Sequence, residues 1–273
     1  MTKILNGREL ADFIKERQAH QVRGLIQHDQ IKPKLAIITT SRPGHENPPI
    51  EVYMRMKQRY ADDILIDVEI FRVAQSEILK VISEVNIDPQ IHGVIIQLPL
   101  ENPDQTNEIV DAVAPEKDVD ALGANAILDP ATPMAINWLL AGYNINLEQK
   151  KIMIVGNGRL IGQPLARMWR NSGLDVEVLD SSTQNLSEKL RSADIIVAAT
   201  GVPNLIKSSD VKIGAVVVDA GTASEHGKIV GDVSDDLRER DDIVITPAIG
   251  GVGPLTISAL MDNIIRAARA TVD

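Results

Sequence analysis

The chain has 273 residues, 44% hydrophobic and 24% charged, a length that fits two ordinary domains or one large one and a balance that excludes wholesale disorder. It contains no cysteine, which excludes a disulfide scaffold, a cysteine-ligated zinc site and thiol catalysis. A formal charge of −10 leaves no basic footprint for nucleic acid, and 3% aromatics excludes a base-stacking platform. The opening MTKILNGREL interrupts any apolar core of a signal peptide, and no apolar run approaches the ~18 residues of a spanning helix. The expectation is a soluble, cytoplasmic protein with no membrane and no nucleic-acid partner.

In chain order, short β-branched runs alternate with amphipathic stretches. Strands are expected at Leu35–Thr39, Gly93–Gln97, Lys151–Val155, Val176–Leu179, Ile195–Ala199, Ala215–Asp219 and Ile243–Thr246. Runs such as IMIV, IIVAA and AVVVD lack alternation, as strands of a parallel sheet covered on both faces do. Helices are expected at Gly7–Gln27, Val52–Ala61, Gln75–Asn86, Thr106–Ala114, Met134–Tyr143, Gly162–Ser172, Leu186–Arg191 and Leu255–Thr271. The alternation predicts an α/β fold. A polar interval, AGYNINLEQKK, marks a boundary near residues 140–150, after which one βαβ series runs to about Pro254.

The segment KIMIVGNGRLIGQP places Gly156, Gly158 and Gly162 between a buried strand and an amphipathic helix. Glycines there permit a tight turn and close approach of backbone N–H groups to a pyrophosphate at a helix N-terminus. The spacing is one residue longer than the usual dinucleotide fingerprint, and the same residues also suit an ordinary strand-to-helix turn. The next strand ends at Asp180, 24 residues after Gly156, where a carboxylate can accept from both ribose hydroxyls of NAD and repel the 2′-phosphate of NADP. The loops Ala199-Thr200-Gly201-Val202-Pro203 and Asp219-Ala220-Gly221 follow later strands at the same expected sheet edge, where contact with the nicotinamide half is expected.

Candidate chemistry in the first part is dispersed. Tyr53 and Lys57 are four apart, on one face of a helix; Gln97 ends the buried run GVIIQ; Asp118 and Asp120 lie in the polar turn PEKDVDAL. His20, His28, His45, His92 and His226 have no metal-ligand spacing, so no metal is expected. Neither a G-x-S-x-G elbow nor a P-loop lysine motif occurs.

Taken in order, KILNGRELADFIK, NPPIEVYMRMK, GVIIQLPL, APEKDVD, PATP, VGNGRLIGQP, ADIIVAATGVP, GKIVGDV and ITPAIGGVGPLT resemble the bifunctional methylenetetrahydrofolate dehydrogenase/cyclohydrolase family along nearly the whole chain. The resemblance implies a catalytic domain at 1–140, a Rossmann-type NAD(P)-binding domain at 141–254, and a last helix at 255–273 that packs back on the first domain. It also implies a folate-holding cleft between domains and a homodimer. The family's catalytic lysine falls on Lys57, its tyrosine on Tyr53, its glutamine on Gln97 and its pterin-binding aspartate on Asp120. Folate would lie against Tyr53, Gln97, Leu98, Pro99, Asp120, Gly250, Gly251 and Pro254. The nucleotide would contact Gly156, Asn157, Gly158, Gly162, Asp180, Ser181, Thr200, Gly201 and Gly221.

Several positions depart from the family pattern. Ala121 stands where glycine usually follows KDVD, Ile249 where proline usually precedes GGVGP, and Ala131 and Ala135 where cysteine and glycine are usual. Residues Ser41–Asn47 read as a short insertion. Asn157-Gly158 and Asp180 replace the Arg-Ser and basic residues that suit a 2′-phosphate, so NAD is the expected cofactor, with NADP the alternative. Two other readings stay open here: a dehydrogenase without cyclohydrolase activity, and a non-catalytic nucleotide- or folate-binding protein.

Overall fold

The computed structural model describes residues 3–225 and 228–272. His226 and Gly227, the latter part of the GKIVGDV motif, lie outside the described residues. The chain divides into two compact units, and each is described by itself. One comprises Asp12–Ala131 and the residues from Ile257 onward; the other comprises the residues up to Ala11 and Thr132–Thr256. Residues 3–11 and 132–140 thus group with the nucleotide-binding series and not, as the polar interval near 140–150 suggests, with the first part. The final helix divides at Thr256/Ile257.

In chain order the principal elements are β1 (Lys3–Ile4), α1 (Gly7–His28), β2 (Lys34–Thr39), α2 (Pro48–Asp63), β3 (Asp67–Arg72), α3 (Ile78–Ile87), β4 (Gly93–Ile96) and α4 (Thr106–Asp111). There follow α5 (Ala131–Gly142), β5 (Ile152–Val155), α6 (Gly162–Asn171), β6 (Val176–Leu179), α7 (Leu186–Ser192), β7 (Ile195–Ala198) and β8 (Val216–Asp219). The hairpin strands β9 (Ala223–Glu225) and β10 (Lys228–Val230), then α8 (Asp235–Arg238), β11 (Val244–Ile245) and α9 (Val252–Arg269), complete the chain. All expected helices and strands form, with ends moved by a few residues. The stretch from Gln75 opens as a 3-10 turn before α3.

The first unit is built on three parallel strands in the order β3-β2-β4. A parallel bridge from Val94 to Asp118 lays the KDVD segment beside β4, with Val94 N donating to Lys117 O over 2.7 Å. Ala36, Ile38, Val94 and Ile96 pack with Ile78, Ile82 and Val85 of α3 and Ile109 and Val110 of α4 in one buried cluster. Burial of that apolar face holds α3 and α4 against the sheet. Strand β3 is absent from the sequence expectation. It lies at the sheet edge, where half-exposed residues replace the apolar run of a covered strand.

The second unit carries six parallel strands in the order β1-β11-β8-β7-β5-β6. Strands β5, β7 and β8 are buried throughout, in keeping with their unbroken β-branched runs. The order doubles back between β5 and β7, leaving the carboxyl ends of the central strands as the ligand-binding edge of a doubly wound sheet. Trp169 of α6 is fully buried, and its indole donates to Asn137 Oδ1 of α5 over 2.6 Å.

Candidate active site and nucleotide loop

Helix α2 sets the first site. Asn47 is its N-cap, accepting from Ile50 N over 3.4 Å, and Pro48 and Pro49 fill the first turn where a missing N–H costs nothing. The segment Ser41–Asn47 builds this cap. Ser41 Oγ accepts from Asn47 N (3.1 Å) and donates to Glu51 Oε1 (2.7 Å). Arg72 of β3 closes the arrangement with a two-pronged bond to both oxygens of Glu51, at 2.6 and 2.9 Å. The arginine holds the Glu51 carboxyl below its ordinary range. At the other end Tyr60 ties the helix to its unit. Its hydroxyl lies 2.9 Å from Gln18 Oε1 and 3.0 Å from Ser258 Oγ, and burial pushes the phenol up to about 12.

Ile50, Met54 and Ala61 turn the apolar face of α2 inward. Lys57, one turn beyond Tyr53, is drawn partly under cover, while Tyr53 stays exposed. Lys57 Nζ donates to Gln97 Oε1 over 3.0 Å. Gln97 follows β4 directly and is fixed twice more: its N–H donates to Ile38 O (2.8 Å) and its Nε2 donates to Leu98 O (3.0 Å). Because Leu98 O takes the amide N–H, the amide oxygen must face the lysine. Pro99 follows across a cis peptide bond from Leu98.

Burial pushes the Lys57 ammonium below its ordinary value, partly offset by the Asp120 charge. Burial pushes the Asp120 carboxyl up, partly offset by Lys57. The two acids of KDVD serve different partners. Asp118 is buried and accepts from Gly123 N over 2.8 Å, closing the turn, whereas Asp120 acts on Lys57. Directly after Asp120, Ala121 adopts φ +53°, the left-handed region that glycine occupies without strain. Lys57, Gln97 and Asp120 therefore share one environment within the first unit, with Tyr53 on the same helix face.

The second unit places the nucleotide candidates. Gly156 follows β5 with φ +107°, and a Cβ there would overlap Ala199 O. A Cβ on Gly162, at the start of α6, would overlap Gly156 O, so strand and helix meet closely at these two glycines. Gly158 faces open space: a Cβ on it would meet no heavy atom within 4 Å. The arrangement leaves Asn157 and Gly158 as a loop before a helix N-terminus, which fits a pyrophosphate. Asp180 follows β6. Its Oδ1 accepts from Ser182 N (2.9 Å) and Ser182 Oγ (2.6 Å), and its own N–H donates to Thr183 Oγ1 (2.9 Å). These bonds hold its carboxyl below the ordinary range, so it is ionised at neutral pH. Ser181 is exposed beside it.

Thr200 and Gly201 follow β7, Gly201 with φ +70°. Gly221 follows β8, and a Cβ on it would overlap the carboxylate of Asp232. Asp232 and Arg238 are not singled out by sequence, and Asp219 only as the start of the loop after β8; the acid in GKIVGDV is the one available signal for Asp232. Gly250 (φ +90°), Gly251 and Pro254 lie in this second unit at the start of α9, so they belong to a different unit from Lys57, Gln97 and Asp120. Gly250 O accepts from Arg8 N over 3.1 Å, and a Cβ on Gly7 would overlap Gly251 O.

Known proteins match the chain along nearly its whole length. The tetrahydrofolate dehydrogenase/cyclohydrolase catalytic-domain model matches residues 5–120, and the NAD(P)-binding-domain model of the same family matches residues 130–272. The bifunctional protein FolD of Nitrosomonas eutropha is 36% identical over 279 residues, covering 97% of this chain and 93% of that protein. A solved bifunctional FolD methylenetetrahydrofolate dehydrogenase/cyclohydrolase from Campylobacter jejuni superposes with a TM-score of 0.90 at 33% identity, over 99% of this chain and 100% of that one. A Trypanosoma brucei methylenetetrahydrofolate dehydrogenase-cyclohydrolase, solved with NADP and an inhibitor, has a TM-score of 0.90 at 27% identity, over 99% of this chain and 98% of that one. Matched along both units, the chain belongs to the tetrahydrofolate dehydrogenase/cyclohydrolase family.

Proposed function

We propose that Lys57, oriented by Gln97 and tuned by Asp120, is the proton acceptor of the second of two consecutive reactions. The chain oxidises 5,10-methylenetetrahydrofolate to 5,10-methenyltetrahydrofolate and hydrolyses the product to 10-formyltetrahydrofolate. In the first step a hydride leaves the carbon bridging N5 and N10, and the nitrogen lone pairs stabilise the cation left behind. That step needs positioning more than proton transfer. The nicotinamide, when bound, supplies the hydride acceptor.

The second step needs a base, because water must lose a proton as it adds to the methenyl carbon before the ring opens at nitrogen. A lysine whose pKa is lowered by burial gives up its proton more readily than a solvated one, which suits it to that purpose. Its bond to Gln97 Oε1 uses one amine hydrogen and leaves the nitrogen lone pair free to accept. Asp120 is suited to accept two N–H bonds from an amino-pyrimidinone edge, and Tyr53 to pack beside the pterin. The Lys57–Gln97 contact with its pKa direction carries this reading. Following methenyl absorbance during turnover tests it: transient or no build-up supports both activities, and persistent accumulation favours a dehydrogenase alone.

Asp180 favours NAD over NADP. An ionised carboxylate after β6, with one oxygen committed to Ser182, keeps the other for a ribose hydroxyl and repels a 2′-phosphate. Comparing kcat/KM for the two cofactors tests this, and a clear NADP advantage contradicts it. Among the described residues no helix is long and apolar enough to cross a membrane. A cytoplasmic homodimer is the remaining part of the reading, and sedimentation of the full chain tests the dimer.

A further inference from the structure

Outside the lysine site, the described residues contain one buried cluster of charges, at the carboxyl ends of β7 and β8. Asp219 ends β8 and is buried, paired with Arg238. Its Oδ1 accepts from Gly221 N (3.2 Å) and Asp232 N (3.1 Å), its Oδ2 from Val233 N (3.2 Å), and Arg238 Nη1 also donates to Thr246 O (2.7 Å). Asp219 therefore fixes the backbone of Asp232. Asp232 is fully buried in turn, and its Oδ2 accepts from both the N–H (2.6 Å) and the hydroxyl (2.8 Å) of Thr200. Thr200 Oγ1 then accepts from Val202 N over 3.1 Å, folding the loop around the glycine at φ +70°. Gly221 and Gly231 make room: a Cβ on either would overlap the carboxylate of Asp232 or Asp219.

Asp219 pairs with the guanidinium, whereas Asp232 Oδ1 has no hydrogen-bond partner among the described residues. A buried carboxylate oxygen left without a donor is costly, so the second acid lowers stability. What it holds is the Thr200–Val202 loop. We propose that Asp232 is a positioning residue for hydride transfer, its carboxylate holding this loop in the conformation that receives the nicotinamide half of the cofactor. The proposal rests on the reading of the glycine loop as the nucleotide site. The residue touches no substrate; it acts through Thr200.

The test measures oxidised NAD binding by calorimetry, dehydrogenase kcat and KM, and methenyl hydrolysis, which needs no cofactor. Asp232→Asn is expected to weaken NAD binding and lower dehydrogenase kcat by about 10–100-fold, with hydrolysis within about twofold of the parent. Thr200→Val follows the same pattern, and Thr200→Ser, which restores the hydroxyl, recovers most of what Thr200→Val loses. If Asp232→Asn does not fold, the Thr200 pair decides alone. Equal loss of hydride transfer and hydrolysis, or no loss of NAD binding and hydride transfer, overturns the proposal. Gly158→Asp separates it from the underlying reading. Its side chain enters open space in the fold yet sets a negative charge where the pyrophosphate would lie. Retained NAD binding in Gly158→Asp overturns the nucleotide-site reading itself. Lost binding there, with Asp232→Asn and Thr200→Val unchanged, overturns only the role of Asp232.

Discussion

Lys57 of α2 and Gln97 at the end of β4 meet over 3.0 Å although 40 residues separate them. The contact depends on both supports: the capped, arginine-clamped start of α2, and the backbone bond from Gln97 N to Ile38 O that continues the β2–β4 ladder. An amide beside the amine adds a fixed acceptor and no charge. The pKa of Lys57 is therefore left to burial and to Asp120.

Those two influences oppose each other, and the sign of their separation is testable. Asp120 raises the Lys57 pKa against the larger lowering by burial. Asp120→Asn removes the raising influence, so the lysine loses its proton at lower pH. At saturating folate, the rising limb of the hydrolysis rate against pH is expected to move to lower pH in the variant. A shift to higher pH, or none, would mean that another group titrates. Folate KM should rise in the same variant, because a carboxylate acceptor is lost.

Ala121 holds a left-handed backbone conformation at a measurable cost. Its φ of +53° places a Cβ in the left-handed region, at about 1–2 kcal/mol against glycine. Ala121→Gly is expected to stabilise the chain by about 0.5–1 kcal/mol after the larger chain entropy of glycine is counted. Thermal unfolding should show a rise of about 2 °C in Tm. A fall would mean that the methyl group packs usefully in the turn.

The glycines of the nucleotide loop should divide sharply. A methyl group on Gly162 would overlap Gly156 O, whereas one on Gly158 meets nothing within 4 Å. Gly162→Ala is expected to lose about 1–3 kcal/mol of stability and most cofactor affinity. Gly158→Ala should stay within about 0.5 kcal/mol in stability. Denaturant unfolding of both variants checks the contrast, which fails if they lose equally.

Asp180→Ser removes the charge after β6 while keeping a small hydrogen-bonding side chain. The ratio of kcat/KM for NAD over NADP is expected to fall by about tenfold. An unchanged ratio would assign the preference to another residue of the loop.

Covered strands such as IIVA and VVVD are legible in the sequence because both faces are buried and polar residues are excluded. Strand β3 is not, since DVEIFR sits at an edge with solvent on part of each face. The two-residue β1 carries too little pattern to register, and it is exposed along its length. The site shows the same division. Tyr53 and Lys57 are visible as a helix-face pair, but the meeting of Lys57 with Gln97 depends on where α2 and β4 lie, and only the family resemblance anticipates it. The cluster of Asp219, Asp232 and Arg238 is assembled from the end of β8, the segment after β10 and the end of α8, with no periodicity to announce it.

The central claim, that one lysine serves the hydrolysis and not the hydride transfer, is tested by Lys57→Met. Replacing the amine by a chain of similar length keeps the packing and removes the base. Supplied with methylenetetrahydrofolate and NAD, the variant is expected to retain hydride transfer while hydrolysis falls by about 10²-fold or more, so that methenyltetrahydrofolate accumulates. Equal loss of both activities in a folded variant, or hydrolysis at the parental rate, would contradict the assignment of Lys57.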